Sequence, residues 1–162
     1  MFEWNNKDPF FDRDLENFKR LHVEGAISVG IIVTRGTTLQ DELKTLVRRW
    51  VDEVDANSFE DLVRRGLQPT SRQRREVMKR VQRQRDPVSF RQAWVDHFVS
   101  DKFGAATTHW RKLEDRVGRG VGNPCPLLLI GLPSAIVSFG ESPAEIAILI
   151  QEGGGESDPG EN

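Results

Sequence analysis

The sequence has 162 residues, 37% apolar and 30% charged, which suits one soluble domain with a core and is too polar for a membrane protein. Its apolar runs at 126–133 and 146–150 fall short of the roughly 20 residues that span a bilayer. The polar start lacks a signal-peptide stretch, and the single Cys125 excludes an internal disulfide or a cysteine zinc cage, so a cytoplasmic protein is expected.

The net charge of −2 hides an asymmetry: residues 1–63 carry −5, residues 64–91 carry +8 and residues 92–162 carry −5. Such a division points to a polyanionic partner.

Residues 2–4 read as the end of a strand entering a polar loop at 5–8. Pro9 and the stretch 12–24 predict a helix whose Phe11, Leu15, Phe18 and Leu21 form one stripe, with Gly25 placed to cap its C-terminus. The β-branched run 27–34, bounded by Gly25 and Gly36, predicts a buried strand. Leu39, Leu43, Leu46, Val47, Trp50, Val51 and Val54 share one face of the next helix. Thr38 is its expected N-cap, and Asp41 and Glu42 are set favourably against its dipole. Helix, strand and helix in that order indicate an α/β arrangement of helices around a mixed sheet.

A short helix over 58–65 ends at the break 66–69. The segment 71–85 permits a helix but has little apolar face beyond Val77, Met78 and Val81, which predicts a basic segment that is exposed, mobile without its partner, or both. Phe90, Trp94 and Phe98 with Val95 and Val99 rebuild a core-facing helix, and Trp110, Leu113 and Val117 line the inner side of another over 107–117. Residues 127–130 predict a short buried strand. Ser142-Pro143-Ala144-Glu145 is a capping box that predicts a last helix. One domain over 1–151 is therefore expected, followed by a disordered acidic tail over 152–162.

Three constellations could carry chemistry. Glu3, Asp8, Asp12, Asp14 and Glu16 gather acids at a strand end and helix start, where Mg²⁺ finds hard oxygen ligands. The simpler account is a solvated helix start, where acids are favoured anyway. The second is the stretch Arg64, Arg65, Arg72, Arg74, Arg75, Lys79, Arg80, Arg83, Arg85 and Arg91. Its ten basic residues against two acids are too lopsided for an ordinary solvated face, because like charges one turn apart repel. Arginine suits bidentate phosphate and guanine contacts, which makes Arg72, Arg75 and Arg80 candidate DNA contacts. The third is Thr107, Thr108 and His109 with Lys112. They could meet phosphates at a helix start or serve simply as its cap.

The glycines of 118–126 match neither a P-loop nor a dinucleotide fingerprint, and His22, His97 and His109 show no metal-ligand spacing. Cys125 and the tryptophans Trp4, Trp50, Trp94 and Trp110 are expected in the core.

Glu3-Trp4-Asn5-Asn6-Lys7-Asp8-Pro9-Phe10-Phe11-Asp12-Arg13-Asp14-Leu15 and Gly30-Ile31-Ile32-Val33-Thr34-Arg35 resemble part of the type II restriction endonucleases related to BamHI and BglII. Thr107-Thr108-His109-Trp110 with Lys112-Leu113 resembles them too, as does the stretch 120–131 with its Cys125-Pro126-Leu127-Leu128-Leu129. The likeness spans residues 1 to about 133, over the C-terminal two-thirds or so of such an enzyme.

It implies the PD-(D/E)xK fold, a homodimer on short palindromic double-stranded DNA, and Mg²⁺. By this resemblance Glu3 is the catalytic and metal-holding member of an acidic-x-Glu pair. Asn6, Lys7 and Arg13 lie on the segment that approaches DNA. Met1 stands where the first acid of the pair belongs, so the resemblance implies a truncated endonuclease with an incomplete N-terminal part of the core, unable to cut alone. The alternatives are a non-catalytic DNA-binding accessory protein of a modification system, and a structural partner whose basic segment docks on an acidic protein.

Overall fold

Helices fill both connections between the strands of the sheet, and that sets its topology. The computed structural model describes residues 1–139. β1 (Phe2–Glu3) leads through α1 (Pro9–Val23) to β2 (Gly30–Arg35). From β2 the chain runs through α2 (Thr37–Glu53), α3 (Phe59–Arg64), α4 (Ser71–Val81), α5 (Phe90–Phe103) and α6 (Trp110–Gly118) to β3 (Leu127–Leu132) and a 3-10 turn, Ser134–Ile136. The strand order is β1-β2-β3, with every pair parallel. The expected mixed sheet is therefore corrected, among the described residues, to a parallel one. A parallel pair requires a long crossover, and both connections here are long and helical.

α1 starts with Pro9 and closes on a Schellman motif: Gly25 N–H donates to His22 O and Ala26 N–H to Leu21 O. Gly25 sits at φ +72°, as the capping role requires. β2 begins three residues later than the predicted strand, because its ladder starts where Gly30 pairs with Leu127, just past the prolines at 124 and 126. Gly30 is needed for packing. A Cβ there would lie 2.6 Å from the Phe18 ring, so its absence lets α1 lie flat on the sheet.

Two apolar clusters form. Phe11, Leu15, Ile32 and Leu113 hold α1 and α6 against one face of the sheet. Val51, Ala56, Phe59, Leu62, Val77, Ala93, Trp94 and Val95 join α2 to α5 in a second, helical core. The opposite sheet face is open. Phe2 is 78% and Leu128 50% exposed, with Ile31 and Ile130 exposed beside them. The strands expected to be buried are thus covered on one side only, because among the described residues no helix lies over the other. β3 also runs two residues beyond its predicted end.

Two further expectations are corrected, the Thr38 cap and the burial of Trp4. Gly36, not Thr38, caps α2, and the Thr38 hydroxyl instead accepts from Ser134 N–H. Residues 71–81 form the helix that the sequence permits, with a complete Thr70–Gln73 capping box and Val77 of its small apolar face buried. Trp94 is buried but Trp4 is exposed. The predicted helix at 142 and the tail lie outside the described residues.

Candidate active site and nucleic-acid surface

Pairing with β2 fixes Glu3. Opposite Thr34 in the ladder, it accepts the Thr34 hydroxyl on its backbone carbonyl at 2.7 Å and turns its side chain toward α1. The carboxylate is only 2% exposed. Asn6 Nδ2 donates to Glu3 Oε2 at 2.8 Å. α1 brings up Asp14, which is fully buried. Arg13 Nε and Nη2 donate to Asp14 Oδ1 at 3.0 and 2.9 Å, and Arg13 Nη2 stands 3.9 Å from Glu3 Oε1. Burial above all, and then Asp14, raises the Glu3 pKa; Asn6 and Arg13 oppose that rise.

Asp14 was named in the sequence only as one acid among five, yet it alone joins Glu3. The readable signal was its position. It falls three residues after Phe11 and beside Leu15, on the apolar stripe of α1, where a carboxylate has no reason to be unless something meets it. The remaining acids turn elsewhere. Asp8 and Asp12 face Arg116 at 3.5 and 2.8 Å, and Glu16 pairs with Lys19.

The loop at Asn6–Asp8 and the stretch before α6, distant in sequence, are stitched together. Lys7 and Thr107 form an antiparallel bridge, Asp8 N–H donates to Ala106 O, and Thr108 N–H donates to Asn6 O. This extended pairing explains why α6 starts at Trp110 and not at residue 107. Lys112 reaches Asp8 at 3.4 Å. Beneath lies the buried Arg35. It donates to Trp4 O at 2.7 Å, to Thr107 Oγ1 at 2.7 Å, to Thr108 O at 2.5 Å and to the Gln40 side chain. Desolvation lowers its pKa to about 10.

Glu3, Asn6, Lys7, Arg13, Thr107, Thr108, His109 and Lys112 thus come together, but not all at the surface. Asn6, Lys7 and Arg13 are exposed and Lys112 half-buried. Thr107 is engaged with Arg35 and Gly104 O. Thr108 and His109 are buried, and burial followed by the nearby Arg35 lowers the His109 pKa.

The basic stretch belongs to the helical core, where α4 packs chiefly on α5. Part of it is structural. Arg91 pairs with Asp52 at 3.1 Å and with Asp55, and Arg74 lies over the Phe59 ring and 3.7 Å from Glu60. Arg64 and Lys79 pair with Asp61 and Glu76. The exposed Arg72 and Arg75 and the half-buried Arg80 have no ion pair among the described residues.

A groove of about 300 Å³ lined by Trp4, Leu43, Trp50, Trp94, Phe98 and Phe139 is wholly apolar and does not include Glu3. It offers no group for hydrolysis.

The family model for the restriction endonuclease BglII/BglIII matches residues 1–132. The chain belongs to that family. No curated protein and no solved structure matches it. Membership in the BglII/BglIII family makes this a restriction endonuclease relative with DNA as its substrate class, and it takes in Glu3, the bridged loops and α4 alike. No helix among the described residues is long and apolar enough to cross a membrane.

Proposed function

We propose that this chain carries the DNA-binding surface and part of the catalytic centre of a Mg²⁺-dependent type II restriction endonuclease of PD-(D/E)xK type. It would act as a homodimer on double-stranded DNA in the cytoplasm. The observation that carries the reading is the family match over residues 1–132, with Glu3 held rigidly at a strand end beside exposed Asn6, Lys7 and Arg13.

Mg²⁺ accepts one or two carboxylates and fills its remaining positions with water and phosphate oxygens. Glu3 and Asp14 fit that need, because one buried Asp14 oxygen lacks a hydrogen-bond partner. When bound, the metal supplies a hydroxide near neutral pH and offsets charge on the leaving oxygen. The chain's own part is positioning. Thr34 and Asn6 hold Glu3, and Asn6, Lys7 and Arg13 meet the phosphate backbone. The arginines of α4 extend the contact along the duplex.

Glu3 and Asp14 are two carboxylates, and among the described residues no third His, Cys, Asp or Glu joins them as a further ligand. We therefore propose that this chain binds duplex DNA but does not cleave it unaided, which leaves a non-catalytic accessory role as the second reading. A salt titration of duplex binding tests the surface. The log–log slope should be steep, about −0.9 per phosphate contact. Replacing Arg72, Arg75 and Arg80 together by Ala should flatten it by about 2–3 units. A salt-independent affinity removes the DNA reading of α4. Plasmid nicking by the chain with Mg²⁺ removes the claim that it needs further ligands.

A further inference from the structure

Two carboxylates buried side by side cannot both be left as they are. Glu3 is 2% and Asp14 0% exposed, and a single Arg13 nitrogen, Nη2, stands within 3.9 Å of both carboxylates. The Asp14 side chain is half satisfied, because Oδ1 takes both Arg13 donors while Oδ2 is buried with no partner. Carboxylate oxygens only accept. A buried carboxylate oxygen left without a donor beside another acid calls for a cation or a proton donor to meet it.

Arg13 shows which of these the site is built to take. Its guanidinium reaches over both acids, 2.9 Å from Asp14 Oδ1 and 3.9 Å from Glu3 Oε1, yet its side chain is 55% exposed. It rests on the Phe10 ring, 4.4 Å from the centroid. A positive group therefore already stands at the mouth of the pair, on a long side chain free to turn out into water. Behind it the carboxylates are fixed by secondary structure, Glu3 by the sheet and Asp14 by the second turn of α1.

Resting on the reading of Glu3 above, we propose that Asp14 is the second ligand of a divalent-cation site. The cation is seated between Glu3 and Asp14 and displaces the exposed Arg13 guanidinium when it binds. Two carboxylates with water fit a hard cation such as Mg²⁺ or Mn²⁺, which completes its shell with water or a phosphate oxygen. Arg13, once displaced, is free to pair with a DNA phosphate, so cation and duplex help each other to bind.

Terbium(III), another hard oxygen-seeking ion, is the probe. Its luminescence is read on the full chain with excitation of the tryptophans, one of which, Trp4, adjoins Glu3. Saturable emission that Mg²⁺ displaces is expected. Glu3→Gln and Asp14→Asn should each weaken terbium affinity at least tenfold, and Arg13→Gln should strengthen it, since a competing cation is gone.

Melting curves keep the result independent of folding. Mn²⁺ should raise the melting temperature of the parent chain and leave that of a folded Asp14→Asn unchanged. Parent-like terbium binding by Asp14→Asn overturns the proposal, as does an absence of Mg²⁺-sensitive binding to the parent chain. Weaker binding by Arg13→Gln overturns the displacement step. None of these results depends on DNA affinity, so the salt titration above stands or falls separately.

Discussion

Arg35 is a buried guanidinium held by neutral acceptors. Its donors serve two backbone carbonyls and two side chains drawn from the end of β1, from α2 and from the bridged stretch before α6. It also stands 5.0 Å from the Phe103 ring centroid. Hydrogen bonds to a charged group contribute about 1.5–3 kcal/mol each. Arg35→Gln, which keeps at most part of this network, should therefore lower stability by about 3 kcal/mol or more in urea denaturation. A loss under about 1 kcal/mol would place the joint between these segments elsewhere.

His97 and His109 set a pH dependence. Each is buried and has a pKa lowered first by desolvation. Arg80 adds to the effect at His97 and Asp101 opposes it, while Arg35 and Lys112 add to it at His109 and Asp8 opposes it. In the unfolded chain both take up protons below about 6.5. The folded state resists protonation, so the stability they contribute is full above that value and is lost as pH falls below it. The melting temperature should drop between pH 7 and pH 5.5, and the His97→Gln/His109→Gln double variant should show a shallower drop. An unchanged slope in the double variant would assign the acid sensitivity to other groups.

Among the elements, α4 best separates what is legible in sequence from what is not. Its charge and its small apolar face at Val77 could be read at once; its N-terminal cap, also written in the sequence, went unused. Thr70 and Gln73 stand at capping-box spacing, and their side chains close both halves of the box. Thr70→Ala should therefore cost about 1 kcal/mol and fray the helix. Circular dichroism during urea unfolding checks this, and a parent-like midpoint would mean the cap carries nothing.

The stripes of α1 and α2 were equally readable, because periodicity reports a buried face directly. Where β2 starts was not, because that depends on pairing with a strand about a hundred residues away. Nor could the sequence place Thr107 and Thr108. Their extended backbone is imposed by Asn6 and Lys7 across the bridge. The Glu3 site was half readable. Family likeness pointed to Glu3, and the place of Asp14 on the apolar stripe of α1 marked it as unusual, but only the laying of α1 against β1 shows that the two acids meet.

At the scale of the whole molecule, the sheet is unevenly covered. α1 and α6 shield the face that carries Ile32 and Glu3, while Phe2, Ile31, Leu128 and Ile130 on the other face meet solvent. In the ladder Phe2 stands opposite Val33, which in turn faces Ile130, and Ile31 faces Leu128, so these side chains form one contiguous patch. An exposed contiguous apolar patch of this kind drives association. β1 beside it is an edge strand of only two residues, a second route to pairing with another chain. The chain should therefore bind a hydrophobic dye in its native state and sediment more slowly on dilution. Replacing Leu128 and Ile130 by Thr puts β-branched side chains at both positions and removes two of the four exposed side chains of the patch. This double variant should bind less dye and associate more weakly, with a melting temperature close to that of the parent. Dye binding and sedimentation that match the parent in the variant would show that this face does not drive association.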